Sequence, residues 1–179
     1  MTLLDYSEKF WRIYPNNRKF SSIIINGAHE GTMEVLKYYD DIIYNYLLSL
    51  FNDNLLKDTS IFLLSDHGVG LQSIYYMFDF YIYENNLPMF YAIINDRKNV
   101  SYQEQYYNIQ QNQQTFITAY DIYNTFNNLL FGDNYKNISN LTDENPTPKS
   151  PLGKSLFDKI DQKFRKSKNY KHMRHNICI

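Results

Sequence analysis

The sequence of 179 residues contains one cysteine, Cys178, so the chain cannot form an internal disulfide bond. It has no run of about 18 apolar residues, and therefore predicts no transmembrane helix. It also has no P-loop, no G-x-G-x-x-G and no C-x-x-C motif, which argues against a glycine-rich phosphate loop and a dithiol redox site. These absences do not exclude a metal site or another kind of catalytic site.

The sequence also has no excess of positive or negative charge, because its formal net charge is −1. Such a balance supplies no general attraction to nucleic acid or anionic membranes, and we expect no nucleic-acid partner. The first fifteen residues lack the apolar region of a signal peptide. Residues 163–174 carry six basic and no acidic side chains; we interpret them as a solvated tail, with a phosphate-binding or membrane-surface segment as the alternative.

Strand and helix patterns alternate along the chain. Short apolar runs bounded by polar residues predict strands at 20–26, 60–65 and 89–95. Between the first two, apolar residues at spacings of three and four predict a helix over residues 32–51. This order is typical of an α/β sheet that is at least partly parallel, in which ligands bind beyond the carboxyl ends of the strands.

The second half of the chain contains one well-marked helix. Thr118 and Asp121 have the T-x-x-D spacing of a capping box, and Gly132 stands where a helix should end. Before this helix, residues 102–114 are polar and weakly helical in pattern. We predict three regions: a domain over residues 1–135, a Pro-rich linker over 136–152, and a short helix with a basic tail over 153–179.

Asp66 and His67 directly follow the apolar strand predicted at residues 60–65. Adjacent side chains that leave a strand can turn towards one ion, and a carboxylate with an imidazole suits Zn²⁺, Mn²⁺ or Fe²⁺ better than Ca²⁺. Gly68 fits a tightly folded backbone at this point. The alternative is a polar turn that binds nothing, and the triplet alone does not separate the two.

Two other residues are candidate partners of this pair. His29 lies just past the first predicted strand, so it is expected to face the same cleft unless it is an ordinary loop histidine. Ser65 lacks the G-x-S-x-G context of a hydrolase nucleophile. Residue types therefore identify no catalytic nucleophile.

The order of these motifs resembles one superfamily. Sulfatases and alkaline-phosphatase-like hydrolases contain a segment that runs from a substrate-side histidine, along a long helix, to the strand bearing the metal motif. Residues 29–68, HEGTMEVLKYYDDIIYNYLLSLFNDNLLKDTSIFLLSDHG, resemble that segment. YENNLPMFYAIIN is similar to the Glu-x-x-x-Pro strand that follows there, and ITAYDIYNTFNNLLFG resembles a later Asp-containing helix start. Within this superfamily, the motifs most resemble those of the eukaryotic sulfatase-like branch.

This resemblance covers about residues 20 to 132 and implies a fold, a reaction and roles for individual residues. The fold would be a partial α/β/α sandwich, with a mostly parallel sheet and flanking helices. The reaction would be metal-dependent hydrolysis of a phosphate or sulfate ester. Asp66 and His67 would be metal ligands, His29 would contact the substrate, and Glu84 and Asp121 would be structural. Histidine after the aspartate favours Zn²⁺ or Mn²⁺ over Ca²⁺, and relatives in this branch are often secretory or membrane-tethered.

One departure from the superfamily shapes the functional hypothesis. Its members carry a metal-binding acid and the nucleophile in an N-terminal half, whereas only about 20 residues precede the first predicted strand here. We therefore expect a C-terminal part of such a hydrolase, with half the metal site and with the missing N-terminal half as its partner. The alternatives are a non-catalytic binding or scaffold module and, ranked last, a phosphoesterase that acts alone.

Overall fold

The computed structural model describes residues 2–30, 34–68, 87–94, 100–132, 153–161 and 176–178. This mixture of helices and strands confirms the α/β class. No helix in these parts is both long and apolar enough to cross a membrane. The elements, in chain order, are α1 (Leu3–Ile13), α2 (Leu36–Asn52), β1 (Ile61–Leu64), β2 (Phe90–Ile93), α3 (Val100–Asn112), β3 (Phe116–Thr118), α4 (Ala119–Phe131) and β4 (Asn176–Cys178).

The strands within the described residues form two antiparallel pairs. β1 pairs with β2, with Ile61 opposite Ile93 and Leu64 opposite Phe90. β3 pairs with β4 in the same sense. The predicted mostly parallel sheet is therefore not seen among the described residues. Apolar runs identify strands but not their direction, because residues 65–89 are long enough for either a crossover or a return connection.

Residues 20–26, which the sequence predicts as a strand, pair with no other strand in the described structure. Phe20 is 70% exposed and Ile24 is 74% exposed. β-branched residues favour a strand through packing and pairing with neighbours, so the local preference is not sufficient without a partner. The strand prediction is wrong for this segment.

Helix α2 begins slightly later than its periodicity predicts. The predicted start at residue 32 lies outside the described residues, and the helix is formed from Leu36. Glu30 accepts a hydrogen bond from the backbone N–H of Val35 at 3.2 Å, which satisfies a donor at the start of the helix. A carboxylate is also favoured there by the helix dipole, as the sequence indicates.

Helix α1 was not predicted, although its start carries a recognisable signal. The backbone N–H of Asp5 donates to the Thr2 hydroxyl at 3.2 Å, and the Thr2 N–H donates to the Asp5 carboxylate at 2.7 Å. This is a reciprocal capping box of the kind that was recognised at Thr118. The T-x-x-D spacing in the first five residues would have revealed α1.

Helices α1 and α2 are joined by a polar network. Ser7 and Tyr46 share a hydrogen bond of 2.7 Å between their hydroxyl oxygens. Glu8 accepts from Arg12 at 2.6 Å and from the Ser49 hydroxyl at 2.8 Å, and Arg12 also pairs with Asp53. The hydrogen bonds from Arg12 and then Ser49 lower the pKa of the Glu8 carboxyl.

The main core lies between the β1–β2 pair and α4. The rings of Phe62 on β1 and Phe126 on α4 meet edge to face, with centroids 5.1 Å apart. The rest of the cluster consists of buried apolar side chains from several elements: Phe90, Ile117, Ile122, Leu156 and Ile160. Burying each such side chain is worth about 1.5–3 kcal/mol, and β1 joins this cluster through Phe62.

Residues 153–161 pack against α3 and α4, but they form a turn and not the predicted helix. Side chains of α3 and α4 form hydrogen bonds with backbone groups of this segment that would pair with each other in a helix. Asn112 donates to the carbonyl oxygens of Leu156 and Asp158 at 3.0 and 2.9 Å, and Thr125 accepts from the Leu156 N–H at 2.9 Å. A Cβ on Gly153 would stand 2.3 Å from the Tyr120 carbonyl oxygen, so the close approach requires glycine.

Asp121 connects the start of α4 to this segment. Its buried carboxylate accepts from the N–H and hydroxyl of Thr118 at 2.6 and 2.9 Å. It also accepts from the Lys154 N–H at 2.7 Å. The capping box predicted at Thr118 is confirmed, and the same carboxylate holds a segment that follows it by more than thirty residues.

We predict that Asp121→Ala lowers the free energy of unfolding by about 3 kcal/mol, because it leaves several buried donors without an acceptor. Urea denaturation followed by circular dichroism measures the change. Asp121→Asn keeps the shape and one acceptor oxygen, so its loss should be smaller. The exposed loop variant Asp58→Ala is the control and should stay within about 0.5 kcal/mol of the parent chain. An Asp121→Ala chain as stable as this control would contradict the assignment.

A second prediction concerns acid stability. Because the folded-state pKa of Glu8 lies below its ordinary value of 4.5, its contribution is complete above that value and is lost as the pH falls through the lowered pKa. Glu8→Gln should therefore flatten the dependence of the unfolding free energy on pH between about pH 6 and pH 3. Glu34→Gln is the control. It removes an exposed ion pair with Lys37 and should leave the dependence of the unfolding free energy on pH unchanged. Equal slopes for Glu8→Gln and the parent chain would exclude this role.

Candidate functional site

The candidate site is the turn that follows β1. The backbone N–H of Ser65 donates to the carbonyl oxygen of Met89 at 3.0 Å, which extends the contact with the β2 side of the pair by one residue. The Ser65 hydroxyl donates to the carbonyl oxygen of His67 at 2.5 Å. The backbone N–H of His67 donates to Asp66 Oδ1 at 3.0 Å. Side chains of the turn thus satisfy its own backbone groups.

The hydrogen bonds of His67 determine which ring nitrogen is available. Nδ1 lies 2.6 Å from the carbonyl oxygen of Gly68. A carbonyl oxygen only accepts, so this hydrogen bond places a proton on Nδ1, and a neutral ring then has its lone pair on Nε2. Nε2 lies 3.9 Å from Asp66 Oδ2. These are the two side-chain atoms through which the turn could bind a ligand.

His29 lies beside this turn. The His29 and His67 rings meet edge to face, with centroids 5.8 Å apart. The His29 N–H donates to the carbonyl oxygen of Asn26 at 3.0 Å, which closes a turn before the ring. Gly27 lies against Tyr39 of α2, since a Cβ there would stand 1.9 Å from the Tyr39 hydroxyl. The structure thus brings together the three residues that the sequence singled out.

The donor atoms fit one metal ion as a partial set. Two ligands at about 2.0–2.2 Å from a tetrahedral Zn²⁺ lie roughly 3.4 Å apart. The 3.9 Å between Nε2 and Oδ2 is close to this value, and the Asp66 side chain is 90% exposed and can rotate. Within the described parts of the chain, no three His, Cys, Asp or Glu side chains are grouped to hold a metal. Asp66 and His67 offer two donor atoms, which is fewer than the three protein ligands of a catalytic zinc site.

A groove of about 130 Å³ lies elsewhere, between β2, α3 and Leu156. Its lining is mainly apolar and includes neither histidine: Phe90, Tyr91, Ala92, Ile109, Gln113 and Leu156. Such a groove offers apolar contacts, whereas metal-dependent hydrolysis needs donor atoms that can hold an ion. The turn after β1 remains the candidate site.

Several residues singled out in the sequence lie outside the described structure or away from the site. Glu84, the linker at 136–152 and the basic stretch at 163–174 are outside the described residues, and their roles stay predictions. Asp121 is buried in the α4 cap and its contacts are structural. Cys178 belongs to β4, opposite Phe116.

The structural contact of Ser65 is one that sequence reasoning missed, because the residue was weighed only as a nucleophile. Its hydroxyl binds a carbonyl two residues ahead, a local pattern for which serine is well suited. The sequence signal was a serine directly before Asp66 at the end of a strand. Recognising the contact also needed the geometry of the turn.

The fold and the site define a mixed α/β protein with a histidine–aspartate turn at the end of its β1 strand. A family comparison matches residues 1–179 to the family described as "Protein of unknown function (DUF229)". The match spans the whole sequence, so the chain belongs to that family. A search of curated proteins and a search of solved structures each found no match.

Proposed function

We propose that this chain is the C-terminal part of a metal-dependent hydrolase of phosphate or sulfate esters. Asp66 and His67 are its metal ligands, and His29 contacts the ester group. The observation that carries the proposal is the 3.9 Å approach of His67 Nε2 to Asp66 Oδ2, with the His29 ring beside them. The motif order that resembles sulfatases and alkaline-phosphatase-like hydrolases supports it independently.

The donor set favours Zn²⁺ or Mn²⁺ over Ca²⁺. A nitrogen ligand suits these borderline ions, whereas Ca²⁺ prefers six to eight oxygen ligands. A bound ion of this type would polarise an ester oxygen and stabilise the charge that develops on it. His29 is exposed and adjacent to His67, so its ring can reach a group held at the site. Hydrogen bonding from His29 to the ester oxygens is its proposed role.

The same geometry explains why we propose a partner for the site. A catalytic zinc site uses three protein ligands, and the turn supplies two donor residues. The other ligands and the nucleophile are proposed to come from the N-terminal half of the hydrolase. On this proposal the chain binds metal weakly by itself and hydrolyses no ester until that half is present.

A second candidate function is a non-catalytic binding or scaffold module. The observation in its favour is a set of exposed apolar side chains on α2, of which Tyr44, Leu48 and Phe51 share one face of the helix because they follow at spacings of four and three. Apolar side chains that are this exposed mark interaction surfaces when they are contiguous. A module of this kind would not need Asp66 and His67, so metal binding separates the two candidates.

The test is isothermal titration of the purified 179-residue chain with Zn²⁺ and with Mn²⁺. We expect binding that Asp66→Ala and His67→Ala each weaken by at least about tenfold, equivalent to roughly 1.4 kcal/mol. His172→Ala, in the basic stretch, is the matched control for adventitious binding by histidine and should leave the main affinity unchanged.

Two results would contradict the proposal. Binding that is unaffected by Asp66→Ala and His67→Ala would show that the ion sits elsewhere. Metal-dependent turnover of p-nitrophenyl phosphate or p-nitrophenyl sulfate by this chain alone would contradict the proposed need for the N-terminal half. In that second case the chain would be a complete phosphoesterase or sulfatase.

A further inference from the structure

The turn between β1 and Gly68 is held by hydrogen bonds that start from Ser65. Its N–H is bonded to the carbonyl oxygen of Met89, so its backbone moves with the β1–β2 pair. Its hydroxyl donates to the carbonyl oxygen of His67 at 2.5 Å. One residue therefore connects the sheet to the peptide group between His67 and Gly68.

The next contact lies one residue further along the backbone. Fixing the His67 carbonyl restricts rotation of the peptide that leads into Gly68, whose own carbonyl oxygen accepts from His67 Nδ1 at 2.6 Å. An unconstrained neutral histidine carries its proton mainly on Nε2. In this turn the carbonyl acceptor keeps the proton on Nδ1, and the lone pair stays on Nε2.

We propose that Ser65 is a positioning residue that holds His67 in the tautomer with a free Nε2. The inference rests on the proposed function in one respect, namely that Nε2 serves as a ligand atom. The Ser65 hydroxyl acts through the backbone and touches neither substrate nor metal. Outer-shell groups that set a histidine tautomer typically change metal affinity by about 10–100-fold when they are removed.

The turn geometry also places the second donor atom. Asp66 Oδ1 accepts from the His67 N–H at 3.0 Å, which leaves Oδ2 on the side of Nε2. Loss of the Ser65 hydroxyl should therefore disturb the His67 ring more than the Asp66 carboxylate. The hydroxyl binds the His67 carbonyl oxygen, whereas the carboxylate binds the His67 N–H. The tautomer of the His67 ring is therefore the readout, because a general loss of stability would not by itself move the proton from Nδ1 to Nε2.

The experiment is long-range ¹H–¹⁵N correlation NMR on the metal-free chain, at a pH where the imidazole is neutral. We expect Nδ1-protonated His67 in the parent chain, a shift to mainly Nε2-protonated His67 in Ser65→Ala, and retention of the parent tautomer in Ser65→Thr, which keeps a hydroxyl. Ser60→Ala, at the other end of β1, is the matched control. Circular dichroism verifies that each variant is folded.

Zinc titration of the same variants provides the second readout. Ser65→Ala should weaken Zn²⁺ binding by about 10–100-fold, and Ser65→Thr should restore it. A parent His67 protonated on Nε2, or a tautomer that Ser65→Ala leaves unchanged, would overturn the positioning role. Absence of Zn²⁺ binding in the parent chain, with a tautomer that depends on Ser65, would instead overturn the proposed function and leave the control of the ring by Ser65 established.

Discussion

Pairing of β1 with β2 is the constraint on which the candidate site depends. The ladder from Ile61 to Leu64 continues through the hydrogen bond from Ser65 to Met89, so the first residue of the turn is tied to the sheet. Contact between Phe62 and Phe126 anchors the same strand to α4. The turn that presents Asp66 and His67 therefore begins from a fixed point, and its short local hydrogen bonds are enough to order the rest.

Local signals in the sequence predicted the elements that local interactions stabilise. Strands β1 and β2, helix α2 and the capping box of α4 were all recognised, because periodicity and cap spacing act over a few residues. The strand predicted at 20–26 was wrong, and so was the short predicted helix over the described residues 153–161, both for one reason. Their conformations depend on distant partners: the first has no paired strand in the described structure, and the second bonds its backbone to Asn112 and Thr125.

In the candidate site, too, the sequence predicted which residues are present but not the contacts that depend on the backbone. The residue types and their place after a strand singled out Asp66 and His67, and the position of His29 past an earlier apolar run made it a third candidate. The sequence did not reveal the contact of His67 Nδ1 with the Gly68 carbonyl oxygen or the contact of Ser65, since both depend on the direction of carbonyl groups in the turn. Residue identity indicates which donor atoms are present, whereas the backbone decides which of their lone pairs are free.

We propose that the turn after β1 supplies part of a metal site. Anomalous diffraction from crystals of the chain grown with Zn²⁺, measured at the zinc absorption edge, tests it most directly. We expect an anomalous peak within bonding distance of both His67 Nε2 and Asp66 Oδ2, on the side where the His29 ring lies. A zinc peak found only away from this turn, or no peak near these two atoms at saturating Zn²⁺, would contradict it.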